Sequence, residues 1–169
     1  MPNWTHNSLT VSHKDASAIH DLVSKVDADG ELFNHILPMP ENTFRGNLGN
    51  EEMEMCKREG IPNWYDWCCN NWGTKWDACH LDWNRIDEHT VTFDFDTAWA
   101  APVPIWQALA EQGFEVEAYY VSYENWDAGV WEHDAEGNVY EDSSGDLSTY
   151  VPERVDEVFG VSDYLKEIA

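Results

Sequence analysis

Thr90-Val91-Thr92-Phe93-Asp94-Phe95-Asp96 alternates strictly between polar and apolar side chains. As a strand it turns Val91, Phe93 and Phe95 to one side and Thr92, Asp94 and Asp96 to the other. One face belongs to a core, and the opposite face is acidic. Upstream, Cys79 to Arg85 reads as a second strand joined to the first by a short turn containing Asp and Glu, which predicts a hairpin. Downstream, Pro102 and Pro104 suit the start of a helix carrying Ile105, Trp106, Leu109 and Ala110, and Gly113 suits its end. Phe114 to Glu124 follows as another strand, with Phe114, Val116 and Ala118 alternating against Glu115 and Glu117.

Towards the N-terminus, a first strand runs from Asn3 to Val11. Ile19, Leu22, Val23 and Val26 then fall at helical spacing, and Gly30 closes that helix. Leu32 to Leu37 reads as a short second strand that ends at the Pro38-Met39-Pro40 corner, where neither a helix nor a central strand can continue. Glu41 to Gly60 is polar, with a helix at Glu51 to Glu59. Asn63 caps a further helix carrying Trp64, Tyr65, Trp67 and Cys68, which stops near Gly73. Past Glu124, Val130 to His133 and Asn138 to Glu141 form a hairpin around Asp134-Ala135-Glu136-Gly137. A polar loop at Ser143-Ser144-Gly145 follows, and Pro152 and Ser162 start two short helices.

This order predicts an α+β fold: an antiparallel sheet with helices on one face, a helical insertion after the second strand, and a C-terminal hairpin plus short helices. One domain spans 1–169. Its core is 1–124, with an insertion at about 41–78, and 125–169 supplies the C-terminal hairpin and helices.

The chain has 169 residues and a net charge of -24, yet hydrophobic residues at 43% and ten Trp set it apart from disordered sequences. No basic N-terminal region precedes an apolar run and no apolar stretch approaches a membrane span, so a cytoplasmic protein without a membrane partner is expected. Cys56, Cys68, Cys69 and Cys79 are then reduced. Cys68, Cys69, Cys79 and His80 form adjacent pairs rather than the spaced pairs from which one loop presents two ligands to zinc. Trp64 to Trp83 holds five of the ten tryptophans, a density that suits a core better than a ligand platform.

No constellation points to catalysis. There is no Gly-rich phosphate loop, no Gly-x-Ser-x-Gly, and no His-Glu-x-x-His pair among seven histidines. The acidic turns at Asp27-Ala28-Asp29-Gly30 and Asp134 to Gly137 fail as calcium loops. Aligned on glycine, the first puts Lys25 at a ligand position, and the second puts Ser143 where a bidentate Glu belongs. No enzyme activity, cofactor or metal is expected.

Other residues carry a resemblance. Asn3-Trp4 leading into Asn7-Ser8-Leu9-Thr10-Val11, the Pro38-Met39-Pro40 corner, Asn63-Trp64-Tyr65-Asp66-Trp67-Cys68, Asn71-Trp72-Gly73-Thr74-Lys75-Trp76, and Phe95 with Thr97-Ala98-Trp99 ahead of Pro102 together resemble the YubB-type family of phages and plasmids. The likeness covers most of the first 130 residues. It implies a ferredoxin-like sheet and a mobile-element origin, and it transfers no catalytic residue.

Between Ile86 and Glu153 the sequence has sixteen Asp and Glu and no Lys or Arg. Such a surface repels nucleic acid and attracts proteins that bind nucleic acid. A globular chain of 19.5 kDa exposes on the order of 8,500 Å², or roughly one net charge per 350 Å². Duplex DNA carries roughly one per 100 Å². Imitating DNA therefore requires clustering. Asp94, Asp96, Glu115 and Glu117 are expected to share the sheet face away from the core, beside a ridge of Glu124, Asp127, Glu132, Asp134, Glu136, Glu141, Asp142 and Asp146. The expected partner is a basic, nucleic-acid-binding host protein such as a restriction or CRISPR nuclease, with no direct nucleic-acid binding. The competing expectations are a carbohydrate- or peptide-binding module using Trp126 and Trp131, a solvated acidic surface, and salt adaptation.

Overall fold

In the computed structural model, residues 3–168 are described; Met1, Pro2 and Ala169, part of the expected 1–169 domain, lie outside the described residues. The N-terminal half runs β1 (Trp4–Ser12), α1 (Ala16–Asp29), α2 (Phe33–Ile36), α3 (Asn50–Glu59), α4 (Trp64–Asn71) and β2 (Cys79–Arg85). There follow β3 (Thr90–Ala98), α5 (Val103–Glu111), β4 (Glu115–Ser122), β5 (Asp127–His133), β6 (Val139–Ser144), α6 (Glu153–Phe159) and α7 (Val161–Ile168). The six strands form one sheet in the order β2-β3-β1-β4-β5-β6, and every neighbouring pair is antiparallel. The segment holding α1 links β1 to β2 across β3, and α5 links β3 to β4 across β1. That interleaving is the ferredoxin-like arrangement, extended on the β4 side by the β5–β6 hairpin.

The strand alternation builds the core directly. Leu9, Val11, Phe93, Phe95, Val116 and Ala118 point to one face and are buried with Ile19, Val26, Phe33, Trp72, Trp106 and Leu109 from the helical layer. Asp15 caps α1 by accepting from Ser17 N at 2.9 Å, and Asn63 caps α4 by accepting from Asp66 N at 2.9 Å. Gly30 ends α1 in the left-handed region, φ 77°, with its N–H on Val26 O.

The structure corrects the sequence reading at three places. Leu32 to Leu37 is not a strand but contains α2, so the helical insertion follows α1 rather than a second strand. A remote carboxylate selects the helix. Asp77 Oδ1 accepts from Leu32 N at 3.0 Å and Phe33 N at 2.8 Å, and Oδ2 accepts from Asn34 N at 2.9 Å, which satisfies the N–H groups that the first turn leaves free. The supposed loop at Ser143-Ser144 belongs to β6, with Ser143 opposite Gly129 and Ser144 opposite Ala128.

The third correction concerns the layers. α1, α2, α4 and α5 cover one face, but α6 packs on β4 and β5 from the other. There Tyr119, Val121, Ala128 and Val130 form a second core with Leu147, Val155 and Val161. The unbroken apolar run Ala118-Tyr119-Tyr120-Val121 is the sequence mark of a strand covered on both sides.

Candidate functional site

Strand pairing fixes which carboxylates meet on the face away from the main core. Asp94 stands opposite Ser8 and Asp96 opposite His6, while Glu117 lies between Thr10 of β1 and Glu132 of β5, and Glu115 opposite Ser12. Asp94 and Asp96 are thus separated from Glu115 and Glu117 by β1, about 10 Å across two strand spacings, and are also offset along the sheet, Asp94 aligning with Ser8 and Glu117 with Thr10. The strip between them is hydroxylic. Thr10 and Thr92 hydroxyls meet at 3.1 Å, and those of Ser12 and Thr90 at 3.0 Å. Where α6 stops covering the face, Thr10, Ser12, Glu115, Glu117, Glu132, Asp134 and Arg154 line an open groove of about 300 Å³.

Arg154 is the first base after the one-signed stretch, and it folds back into that stretch. It forms ion pairs with Glu132 and, at 3.5 Å, with Glu117, and donates to the Tyr119 hydroxyl at 2.6 Å. Tyr119 in turn donates to Glu117. The Glu132 hydrogen bond, followed by the neighbouring charges, holds the guanidinium above its ordinary pKa, while burial and then Glu117 push the Tyr119 hydroxyl up. The groove is an acidic cluster with one built-in counter-ion.

The single ridge expected from Glu124 to Asp146 does not form. Glu124 lies in the β4–β5 turn and Asp127 opposite Ser122, at one end of the sheet; Asp146 joins them there, because the adjacent Leu147 N–H bonds Trp126 O at 3.2 Å. Burial pushes the Asp127 carboxyl up. Glu132, Asp134 and Glu136 lie towards the opposite end. Asp134 is held below the usual carboxylate range by Asn138 and the turn N–H groups, which it accepts at 3.0 Å from Glu136 and 2.8 Å from Asn138. Glu141 pairs with Trp131 and so faces the helical layer, whereas Asp142 pairs with Val130 on the other face and accepts from the Tyr150 hydroxyl at 2.6 Å. Asp96 is already engaged, its two oxygens bonded to His6 Nδ1 at 2.6 Å and His80 Nδ1 at 2.8 Å. Trp131 is only 4% exposed and offers no free plate to a sugar, although Trp126 is exposed.

A second cluster was not anticipated as a unit. The Trp72-Gly73-Thr74-Lys75-Trp76 motif is half core: Trp72 Nε1 donates to Leu37 O at 2.9 Å, and Thr74 Oγ1 to Ala98 O at 2.8 Å. The other half lies on the surface, where Lys75 Nζ stands 4.4 Å from the Trp76 ring centre, 5.3 Å from Trp99 and 5.9 Å from Tyr65. Trp4 bridges Trp76 and His80, with ring centres at 6.4 and 5.4 Å. His80, Trp99 and Trp126 all hold positive φ, at 51°, 75° and 55°, uncommon for residues with a Cβ. The one sequence signal was a lysine, rare in this chain, set beside Trp76. Burial pushes the Cys68 thiol up to about 12, which makes it a packing residue rather than a nucleophile. Among the described residues, no three His, Cys, Asp or Glu side chains converge as a metal site.

The model of the family described as the ferredoxin-like domain in Api92-like protein matches residues 75–163. The crystal structure of a protein api92 from Yersinia pseudotuberculosis is similar in fold, with a TM-score of 0.56 and 11% sequence identity over 90% of this chain and 100% of that one. No curated protein matches the chain. Likeness at that identity is a likeness of fold alone.

Proposed function

The chain belongs to the family defined by the ferredoxin-like domain of Api92-like proteins, and from that premise we propose that it is a non-catalytic binding protein. Its groove, lined by Glu115, Glu117, Glu132 and Asp134, docks the basic, nucleic-acid-binding surface of another protein. The local spacing of carboxylates carries this reading. Glu115 and Glu117 are two residues apart on one strand, about 7 Å, and Glu117 and Glu132 face each other across about 5 Å. Even after Arg154 is subtracted, such a lattice exceeds the roughly one charge per 100 Å² of duplex DNA. The whole surface of 9311 Å² stays far more dilute, so the mimicry is confined to this patch. The hydroxyl strip of Thr10, Ser12, Thr90 and Thr92 beside it supplies neutral donors and acceptors.

In this proposal the protein acts in a host cytoplasm for a phage or plasmid, in keeping with the resemblance of its Trp-rich motif to YubB-type proteins. The partner is a defence nuclease whose DNA groove the patch occupies. The test is capture of the partner from host extract, followed by competition against duplex DNA at rising salt. The partner should be displaced by DNA, its affinity should fall steeply between 50 and 200 mM salt, and Glu115→Lys with Glu117→Lys should abolish binding while the fold stays intact. Binding that ignores both salt and charge reversal would sink the proposal.

A further inference from the structure

We infer that the outer edge of β6 accepts a basic, extended peptide as a seventh strand. This surface is separate from the sheet-face groove and does not depend on the reading proposed for it. β6 is the last strand of the sheet, so one of its edges has no partner strand among the described residues. The hairpin shows which residues present that edge. Asp134 N donates to Asn138 O at 3.1 Å, so that pair is hydrogen-bonded, and in an antiparallel ladder such pairs recur at every second position. Glu132 with Tyr140, Val130 with Asp142 and Ala128 with Ser144 therefore exchange the β5–β6 bonds. Val139, Glu141 and Ser143 turn their N–H and C=O groups outward.

The same three residues direct their side chains to the helical face, because Glu141 is opposite the core residue Trp131. On that face α5 leaves the end of the sheet uncovered. A groove of about 330 Å³ remains, in which Gln107, Ala110 and Glu111 of α5 face Trp131, Val139 and Glu141. A strand added along β6 would place its alternate side chains at the mouth of this groove, next to Glu111 and Glu141, with no Lys or Arg among the groove residues. Lys or Arg at those positions would pair with the two carboxylates. A second copy of the chain is disfavoured as occupant, since antiparallel β6–β6 pairing centred on Glu141 sets carboxylate against carboxylate. The occupant is a short peptide alternating basic and β-forming residues.

The probe is a fluorescent, N-acetylated peptide of alternating lysine and valine, added to the intact protein at 0.15 M salt and followed by anisotropy. In the antiparallel register, with lysines opposite Val139, Glu141 and Ser143, the lysine N–H groups bond β6 and the valine N–H groups point away. N-methylation at the lysines should therefore weaken binding at least about tenfold, while N-methylation at the valines, with identical charge, should leave it within about twofold. Glu141→Lys should weaken binding by a similar factor, and Glu157→Lys, at an exposed position of α6 on the other face and outside the acidic groove, should not. Equal affinity of the two methylated peptides would mean charge condensation alone and overturns the proposal. No binding of the unmethylated peptide, or loss with Glu157→Lys but not with Glu141→Lys, overturns it as well.

Discussion

Arg154 of α6 and Glu132 of β5 form an ion pair on a sheet face where every other ionised group at hand is a carboxylate. Because Arg154 also reaches Glu117 and Tyr119, removing it leaves two adjacent carboxylates and a phenol without their shared donor. Its side chain is 41% exposed, so solvent screens part of the effect. Arg154→Ala is expected to destabilise the protein by about 1 kcal/mol at low salt, with the loss shrinking in 1 M salt. The same substitution uncovers the acidic groove and should tighten its hold on a basic partner. Thermal melts at two salt concentrations, with parallel binding titrations, check both expectations; a stability loss that grows with salt would contradict the electrostatic assignment.

Asp77 serves as a cap from outside its helix. Its carboxylate takes the N–H groups of Leu32, Phe33 and Asn34, and that of Ala78 at 2.7 Å. Asp77→Ala leaves these partly buried donors unpaired and loosens α2, which carries the core residues Phe33 and Ile36. A loss of about 2 to 3 kcal/mol is expected, and about half of that for Asp77→Asn, which keeps one acceptor oxygen. Urea unfolding of the three proteins measures this directly, and an alanine variant within 0.5 kcal/mol of the parent would refute the capping role.

These two contacts mark what the sequence could and could not convey. The alternation of Thr90 to Asp96, the stripe Ile19-Leu22-Val23-Val26 and the caps at Asn63 and Gly30 are local patterns, and each element formed where its pattern lies. Leu32 to Leu37 is too short for its apolar spacing to separate a strand from one helical turn, and the deciding carboxylate is far along the chain. The acidic ridge failed for a different reason. Neighbouring residues of a strand face opposite ways, so Glu141 and Asp142 do not share a surface; the predicted strand ended at Glu141, and only the longer observed β6 shows that Asp142 turns to the other side. The return of Arg154 into the acidic face was not legible, since it depends on where α6 packs.

Gly129 lies opposite Tyr120 on the neighbouring strand, and a Cβ built there would come within 2.6 Å of the Tyr120 ring. That ring also packs near Trp106, with centres 6.1 Å apart, so it cannot shift without disturbing the core. Gly129→Ala is expected to cost about 2 to 3 kcal/mol by overpacking. Tyr120→Leu with Gly129→Ala should recover part of the loss, giving a measurable coupling energy. At Gly30 a Cβ would meet nothing within 4 Å, so Gly30→Ala should cost only the left-handed backbone conformation, about 1 kcal/mol. Equal losses at the two glycines would argue against the packing explanation.

Stability should peak in mildly acidic solution, because two groups of carboxylates act in opposite directions. Asp156 accepts from Ser162 N at 2.6 Å, and the Asp134 turn bonds act similarly, so both carboxyls lie below their ordinary 3.8. Their contribution is present above about pH 3.8 and is lost as pH falls through the lower folded values. Asp77 and Asp127 are pushed above 3.8 by burial, so ionising them in the folded protein is harder than in the unfolded chain. Their effect has the opposite sign, and stability declines as pH rises from about 3.8 through their folded values. Self-repulsion among the charges behind the net -24 grows over the same interval. The thermal midpoint should therefore be highest near about pH 4 to 5 and lower at pH 7. At pH 7, 1 M salt should restore most of the difference, since it shortens the screening length to about 3 Å. Near the optimum, where much of the charge is neutralised, the same salt should have little effect. Melts across this pH range at low and high salt test the balance, and a midpoint that rises steadily to pH 7 without any salt response would show that repulsion and carboxylate burial do not limit the stability of this fold.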